Sequence, residues 1–287
     1  MPAVNPLAAG SGAGRAPGRL YSSGMTLPSN ERLSQVGLAV HADGPVLTLT
    51  LDKPDRRNSQ TPAMWHALAD LGENVPADVR VVVVRGAGDC FSAGIDTRLF
   101  TPEGIEGEES VHDLMGGSDE HVLAAIDGFQ RGFVWLADPR FVSVAVVHGY
   151  AIGAGFQLAL ACDLRVVSED VRFCMKEPAL GLVPDLAGTK PLVDLVGYSR
   201  ALEICATARY VEADEARESG IATAVVPREQ LDATTSDLVG ALLASSPGAV
   251  RETKALLSGA AARDLDEQRL AERQAQVRRF RELVGGA

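Results

Sequence analysis

The chain has no long apolar run. Charges or turn residues interrupt every candidate before it reaches the ~18 residues that span a bilayer, so no membrane segment is expected. Basic charge is also scarce: 27 Lys and Arg stand against 38 Asp and Glu, for a net charge of −11. That balance excludes a dedicated nucleic-acid binder, which needs a basic face. Cysteine occurs only at 90, 162, 174 and 205, with none of the close pairs that make a zinc site, and no metal is expected. Each is read as a small buried hydrophobe carrying a free thiol, as in a reducing cytoplasm. The four lysines beside 23 arginines reflect a GC-rich genome rather than a function. Common catalytic signatures are missing too. Gly153-Ala154-Gly155 and Gly86-Ala87-Gly88 open like dinucleotide fingerprints, but Leu158 and Phe91 hold the third-glycine positions. There is no G-x-S-x-G elbow, no Walker loop and no H-E-x-x-H pair.

What remains is an ordinary globular composition over 287 residues, 46% hydrophobic and 23% charged, enough for a sizeable core. Residues 1–30 hold two arginines and no acid, within Gly, Pro, Ala and Ser. A transit peptide fits that composition, but without an amphipathic period a disordered tail, or initiation at Met25, fits better. Structure is expected from near Val36. Val46 to Leu51 alternates apolar residues with Thr, as a half-buried strand does, and Thr61-Pro62 opens a helix. Val79 to Val84 and Phe141 to Val147 read as buried parallel strands. Gly149 to Gly155 then turns the chain into an apolar helix over 156–161, and Asp163 to Ser168 forms another strand. This alternation predicts an α/β fold with a core over 31–228. From 229 to 287 the chain reads as helices. Residues 101–121 carry seven acids and no Lys or Arg, hence −7 of the −11, and read as a solvated, mobile insertion or an active-site lid.

Two strand-to-turn junctions draw attention: Cys90 to Asp96, and His148 to Gly155. Small residues there let backbones approach closely and leave amides unpaired at a helix start, which suits an oxyanion hole. The same glycines serve tight packing equally well, and spacing does not choose between the two. A third element, Phe173 to Asp185, places Glu177 and Asp185 eight residues apart among apolar residues, where burial would raise their pKa toward useful proton transfer. A capping Asp beside a solvated Glu is the plainer reading.

Taken together, several motifs in order resemble the crotonase superfamily, the enoyl-CoA hydratase/isomerase family. They are Pro54…Asn58, Phe91-Ser92-Ala93-Gly94-Ile95-Asp96, His148 to Gly155, Ala161-Cys162-Asp163, Phe173…Glu177…Gly181 and Asp185…Gly188-Thr189. The resemblance implies a spiral of ββα units with a helical C-terminal region that supports homotrimers or homohexamers and covers the active site. It implies an acyl-CoA thioester substrate, of the kind met in fatty-acid β-oxidation, and no cofactor beyond the CoA moiety. It puts the oxyanion-hole amides on Ile95 and Ala154, with Gly94 and Gly153 shaping their turns. Loss of one such donor typically costs about 2.7–4 kcal/mol of barrier. It also implies that Arg56, Arg57, Ala93 and Arg98 lie along the CoA portion.

One departure matters. Hydratases of the family use two glutamates, one matching Glu177 and one on the helix after the Gly-rich turn, where this chain has Gln157. An amide can orient substrate or water but cannot move a proton at neutral pH. The segment from Lys176 to Thr189 instead resembles the dienoyl-CoA isomerase branch, whose proton-shuttling pair matches Glu177 and Asp185. That branch carries a third acid where Gln157 stands, so the match is partial. A CoA-dependent isomerase shifting a C=C bond is the leading expectation, with Glu177 as base and acid. An enoyl-CoA hydratase, formally a lyase, is the first alternative. A non-catalytic acyl-CoA-binding protein is the second.

Overall fold

The run Val81-Val82-Val83-Val84 is β-branched throughout, and β-branching favours a pleated strand over a helix. In the computed structural model, which describes residues 27–285, these four valines are buried at the centre of a six-stranded sheet. The strands, in chain order, are β1 (Leu38–Asp43), β2 (Val46–Leu51), β3 (Val81–Gly86), β4 (Val142–Val147), β5 (Tyr150–Ile152), β6 (Leu164–Ser168), β7 (Arg172–Cys174), β8 (Tyr210–Glu212) and β9 (Ala224–Val226). The helices are α1 (Asn30–Gln35), α2 (Pro62–Glu73), α3 (Val111–Gly116), α4 (Asp119–Val134), α5 (Ala154–Ala161), α6 (Thr189–Val196), α7 (Tyr198–Thr207), α8 (Ala213–Glu218), α9 (Leu231–Ala244), α10 (Pro247–Ser258) and α11 (Leu265–Gly285).

The large sheet has the order β1-β2-β3-β4-β6-β9, and every pair after the β1–β2 hairpin is parallel. Parallel pairing requires a crossover, and each crossover here contributes to a second layer. Gln60 after β2 bridges to Ile95 after β3, and Ser92 bridges to Ala151 in β5 after β4. Strand β5 then pairs with β7, and β7 with β8. Helices α2, α4 and α5 follow these second-layer segments in turn, which makes the expected spiral of ββα units.

The core lies between the sheet and these helices. Trp65 of α2 packs at a tilt against Phe129 and Phe133 of α4, with ring centroids 5.0 and 6.3 Å apart. Gly132 lets the two helices meet, because a Cβ there would sit 2.4 Å from the Trp65 carbonyl oxygen. On the other face, Val81, Val83, Val144, Val146 and Val166 bury against Leu231, Leu238, Val239 and Leu242 of α9. The C-terminal helices therefore begin as part of the sheet packing. Lys254 of α10 extends the attachment by donating to the Asp138 and Phe141 carbonyls.

Three expectations need correction. Order begins before Val36, because Ser29 caps α1 by accepting from the Arg32 amide, and Leu33 is fully buried. Of the tail placed at 1–30, residues 1–26 lie outside the described part. Residues 101–121 are not simply a loop: Ser110 and Asp113 form a capping box that starts α3. Glu108 also accepts from the Ala63 amide at the start of α2, at 2.8 Å. Cysteines 90, 162 and 174 are buried as expected, Cys205 is half-buried, and burial pushes the Cys162 thiol up to about 12. No helix among the described residues is long and apolar enough to cross a membrane.

Candidate active site

The two turns singled out by sequence are held together by a buried asparagine. Asn58 has φ 53°, a left-handed conformation that Asn tolerates better than most residues. Its Nδ2 donates to the carbonyls of Ala87, Cys90 and Phe91, and its Oδ1 accepts from the Lys53 amide. Ser92 completes the brace: its hydroxyl donates to the Asn58 carbonyl at 2.7 Å and accepts from the Gly94 amide and from Gln60. Gln60 in turn accepts from the Trp65 indole N–H at 2.8 Å. Sequence reasoning missed Gln60; its only trace there is a polar residue directly before a helix cap.

Gly94 and Gly153 occupy positions no other residue fits. Gly94 has φ +86°, and a Cβ on it would lie 2.4 Å from the Ile152 carbonyl oxygen and 3.6 Å from the Ala154 nitrogen. Gly153 has φ +51° and caps α5, and its Cβ would lie 3.1 Å from Glu177 Oε1. The Ile95 turn, the Ala154 turn and the Glu177 carboxylate are thus brought to one place. The flanking amides are used internally, Gly94 on Ser92 and Gly153 on the Cys174 carbonyl. The Ile95 and Ala154 amides donate to no acceptor among the described residues. Ala154 is also the first residue of α5, so the positive end of the helix dipole adds to its amide. Two free donors on adjoining turns suit a developing oxyanion.

Glu177 opens a tight 3₁₀ turn, Glu177–Leu180, with two residues between it and the end of β7, the second of which, Lys176, is in the αR conformation. Burial pushes its pKa up from the ordinary carboxylate value, and the negative charge of Asp185 adds to the rise. Its Oε1 accepts from Gln157 Nε2 at 2.7 Å, while Oε2 is buried without a partner among the described residues. Asp185 is raised by burial too. Its carbonyl accepts from Gln130 of α4 at 2.7 Å. The apolar residues between the two acids do not bury them, as the sequence suggested. Leu180 and Val183 are exposed, and Glu177 is enclosed instead by Gly153 and Gln157. Gln157, expected to face substrate or water, is fully buried and bonded to the protein at both ends of its amide.

The three arginines expected along the CoA portion differ in their surroundings. Arg56 and Arg57 are exposed, and the Arg57 carbonyl accepts from the Ala93 amide at 2.8 Å, so Arg57 and Ala93 do adjoin. Arg98 instead grips Asp96, at 2.7 Å. That guanidinium, with help from the Ser59 hydroxyl, holds the buried Asp96 carboxyl far below the usual range. The charge of Arg98 is therefore already matched. Among the described residues no three His, Cys, Asp or Glu are grouped to hold a metal ion.

Residues 41–283 match the family model described as enoyl-CoA hydratase/isomerase. A peroxisomal Delta(3,5)-Delta(2,4)-dienoyl-CoA isomerase of Arabidopsis thaliana is 32% identical over 238 residues, covering 81% of this chain and 84% of that one. A carnitinyl-CoA dehydratase of Salmonella enteritidis is 33% identical over 215 residues, covering 74% of this chain and 76% of its own. Among solved structures, a Thermobifida fusca YX protein in complex with acetoacetyl-CoA superposes with a TM-score of 0.87 at 46% identity. It covers 90% of this chain and 100% of its own.

Proposed function

Because this chain belongs to the enoyl-CoA hydratase/isomerase family, we propose that it shifts a C=C bond along an enoyl- or dienoyl-CoA, with Glu177 as the proton carrier. The thioester carbonyl accepts from the Ile95 and Ala154 amides. Glu177 takes a proton from the acyl chain: the C–H bond breaks, an O–H bond forms, and the electron pair moves into the conjugated thioester enolate. The enolate then recovers a proton at a carbon further along, the double bond settles in its new place, and Glu177 is regenerated. Atoms and electrons balance without water or a cofactor. Asp185 keeps the pKa of Glu177 high or serves as a second carrier for a longer shift. Arg57 and Ala93 lie along the CoA portion, a role favoured by the acetoacetyl-CoA and CoA complexes of the Thermobifida fusca protein.

One observation carries the isomerase reading: where a hydratase needs a second carboxylate, Gln157 donates its amide to the first. Similarity to dienoyl-CoA isomerases supports it. Hydration is the second reading, and the likeness to a carnitinyl-CoA dehydratase favours it. The test is a panel of saturated, 2-enoyl, 3-enoyl and 3,5-dienoyl CoA thioesters with wild type and Glu177→Gln. The expected result is turnover of the 3-enoyl or dienoyl substrate, lost in the variant. Unchanged activity in Glu177→Gln removes the assignment, and efficient loss of the crotonyl-CoA absorbance installs the hydratase.

A further inference from the structure

The amide of Gln157 has only one allowed orientation. Its Oε1 accepts from two backbone amides, Leu186 at 2.9 Å and Gly188 at 3.2 Å. Reversing the amide would set its NH₂ against those two N–H donors, so Nε2 must be the end that meets Glu177. The bond to Glu177 therefore runs one way, with Gln157 donating and Oε1 accepting. Space enforces the same arrangement. A Cβ on Gly188 would lie 2.6 Å from Gln157 Cγ, and one on Gly153 would crowd Glu177 Oε1. Among the described residues nothing comparable holds Oε2, which is buried without a partner.

We propose that Gln157 is a positioning residue that divides the labour of the Glu177 carboxylate: Oε1 stays a fixed hydrogen-bond acceptor and Oε2 alone carries the mobile proton. The same amide joins Glu177 to the backbone directly after Asp185, so one buried side chain sets both acids relative to each other. The free rotation that would let either oxygen of a carboxylate act is removed, and the proton leaves and returns along one path. A buried donor also favours the ionised form of Glu177, countering the burial that opposes it. This division rests on the reading of Glu177 as the proton carrier.

The test is a direct titration of Glu177 in the full-length protein by carbon-13 NMR of labelled glutamate carboxyls, the resonance being assigned by its loss in Glu177→Gln. In Gln157→Met the donor is gone and the Glu177 midpoint moves up. In Gln157→Glu the Leu186 and Gly188 amides keep an acceptor, which protects the fold, and the two carboxyls share one proton and titrate in two coupled steps. With a 3-enoyl-CoA substrate, Gln157→Met loses on the order of 10²-fold in kcat through misplacement of the base. Gln157→Glu keeps activity while the pair holds its proton and loses it as pH rises through the second ionisation. A Glu177 midpoint unchanged in both variants, or a wild-type pH profile in Gln157→Glu, overturns the proposal. A wild type that moves no double bond but shows these titrations would overturn the isomerase reading and leave the role of Gln157 standing.

Discussion

Lys254 Nζ lies 2.6 Å from Asp163 Oδ2, joining the tenth helix to the end of the fifth across 91 residues of sequence. The same carboxylate oxygen accepts from the amide and hydroxyl of Ser143, so one atom collects the start of β4, the start of β6 and α10. Lys254 is only 9% exposed. Replacing it with Met leaves Asp163 and two carbonyls without their cation, at a cost of about 3 kcal/mol. A fall of that size in urea unfolding free energy is the expected result, with the proton-transfer residues untouched.

Glu177 works against stability. Its pKa is raised in the folded state, so at pH values above the unfolded glutamate value the fold bears the cost of a buried charge. The wild type is relieved of that cost only when acid protonates the group. Glu177→Gln is therefore expected to lower kcat by about 10²–10⁴-fold. It should also raise unfolding free energy at neutral pH by about 1 kcal/mol. Calorimetry from pH 7 downward should show the gain shrinking and vanishing below about pH 4, where the unfolded glutamate is protonated as well.

Asp96 acts in the opposite sense. The Arg98 guanidinium depresses its pKa, so its contribution is present at neutral pH and is lost as acid protonates it. Asp96→Asn should cost about 1–3 kcal/mol at pH 7 and flatten the acid side of the stability curve. Because the Asp96 carboxylate anchors the residue directly after Ile95 through Ser59 and Arg98, loosening it should lower kcat as well. Measured against pH, the position of the acid limb should not move, since Glu177 sets that limb.

The acidic segment offers its own check. Glu108 caps the first turn of α2 through the Ala63 amide, and Glu108→Ala should cost about 1 kcal/mol. Neutralising the neighbouring exposed Glu103 or Glu106 should change the thermal midpoint little. Equal effects at all three positions would show that net charge matters there rather than the cap.

Much of this was legible in the sequence, for reasons that differ by element. Strands β3 and β4 declare themselves because short valine-rich runs without charged residues at their centres suit a strand buried on both faces. Thr61-Pro62 marked a helix start because a capping hydroxyl followed by Pro suits little else. The two glycine turns were visible as turns, but their convergence with Glu177 depends on the bridges from Gln60 to Ile95 and from Ser92 to Ala151, which no local pattern encodes. Strand β1 was missed because His41 and Asp43 make an edge strand look like a polar loop. The pairing of Arg98 with Asp96 was not legible, because a spacing of two residues does not show which way a guanidinium turns. Gln157 was noticed for the proton it cannot carry. The direction of its hydrogen bond needed Leu186 and Gly188, some thirty residues further on.

The strand order of the large sheet never runs backward: each strand added, from β1 to β9, lies outside those that came before it. As the chain leaves the ribosome from its N-terminus, every new strand meets a finished edge and none has to be inserted between two already paired. Parallel sheets gather slowly because their partners are far apart in sequence. This one can grow along a single front, starting from a local hairpin. The helices after β9 must wait: α9 covers one face of a sheet already built, and the arrival of Lys254 at Asp163 then bolts α10 onto it.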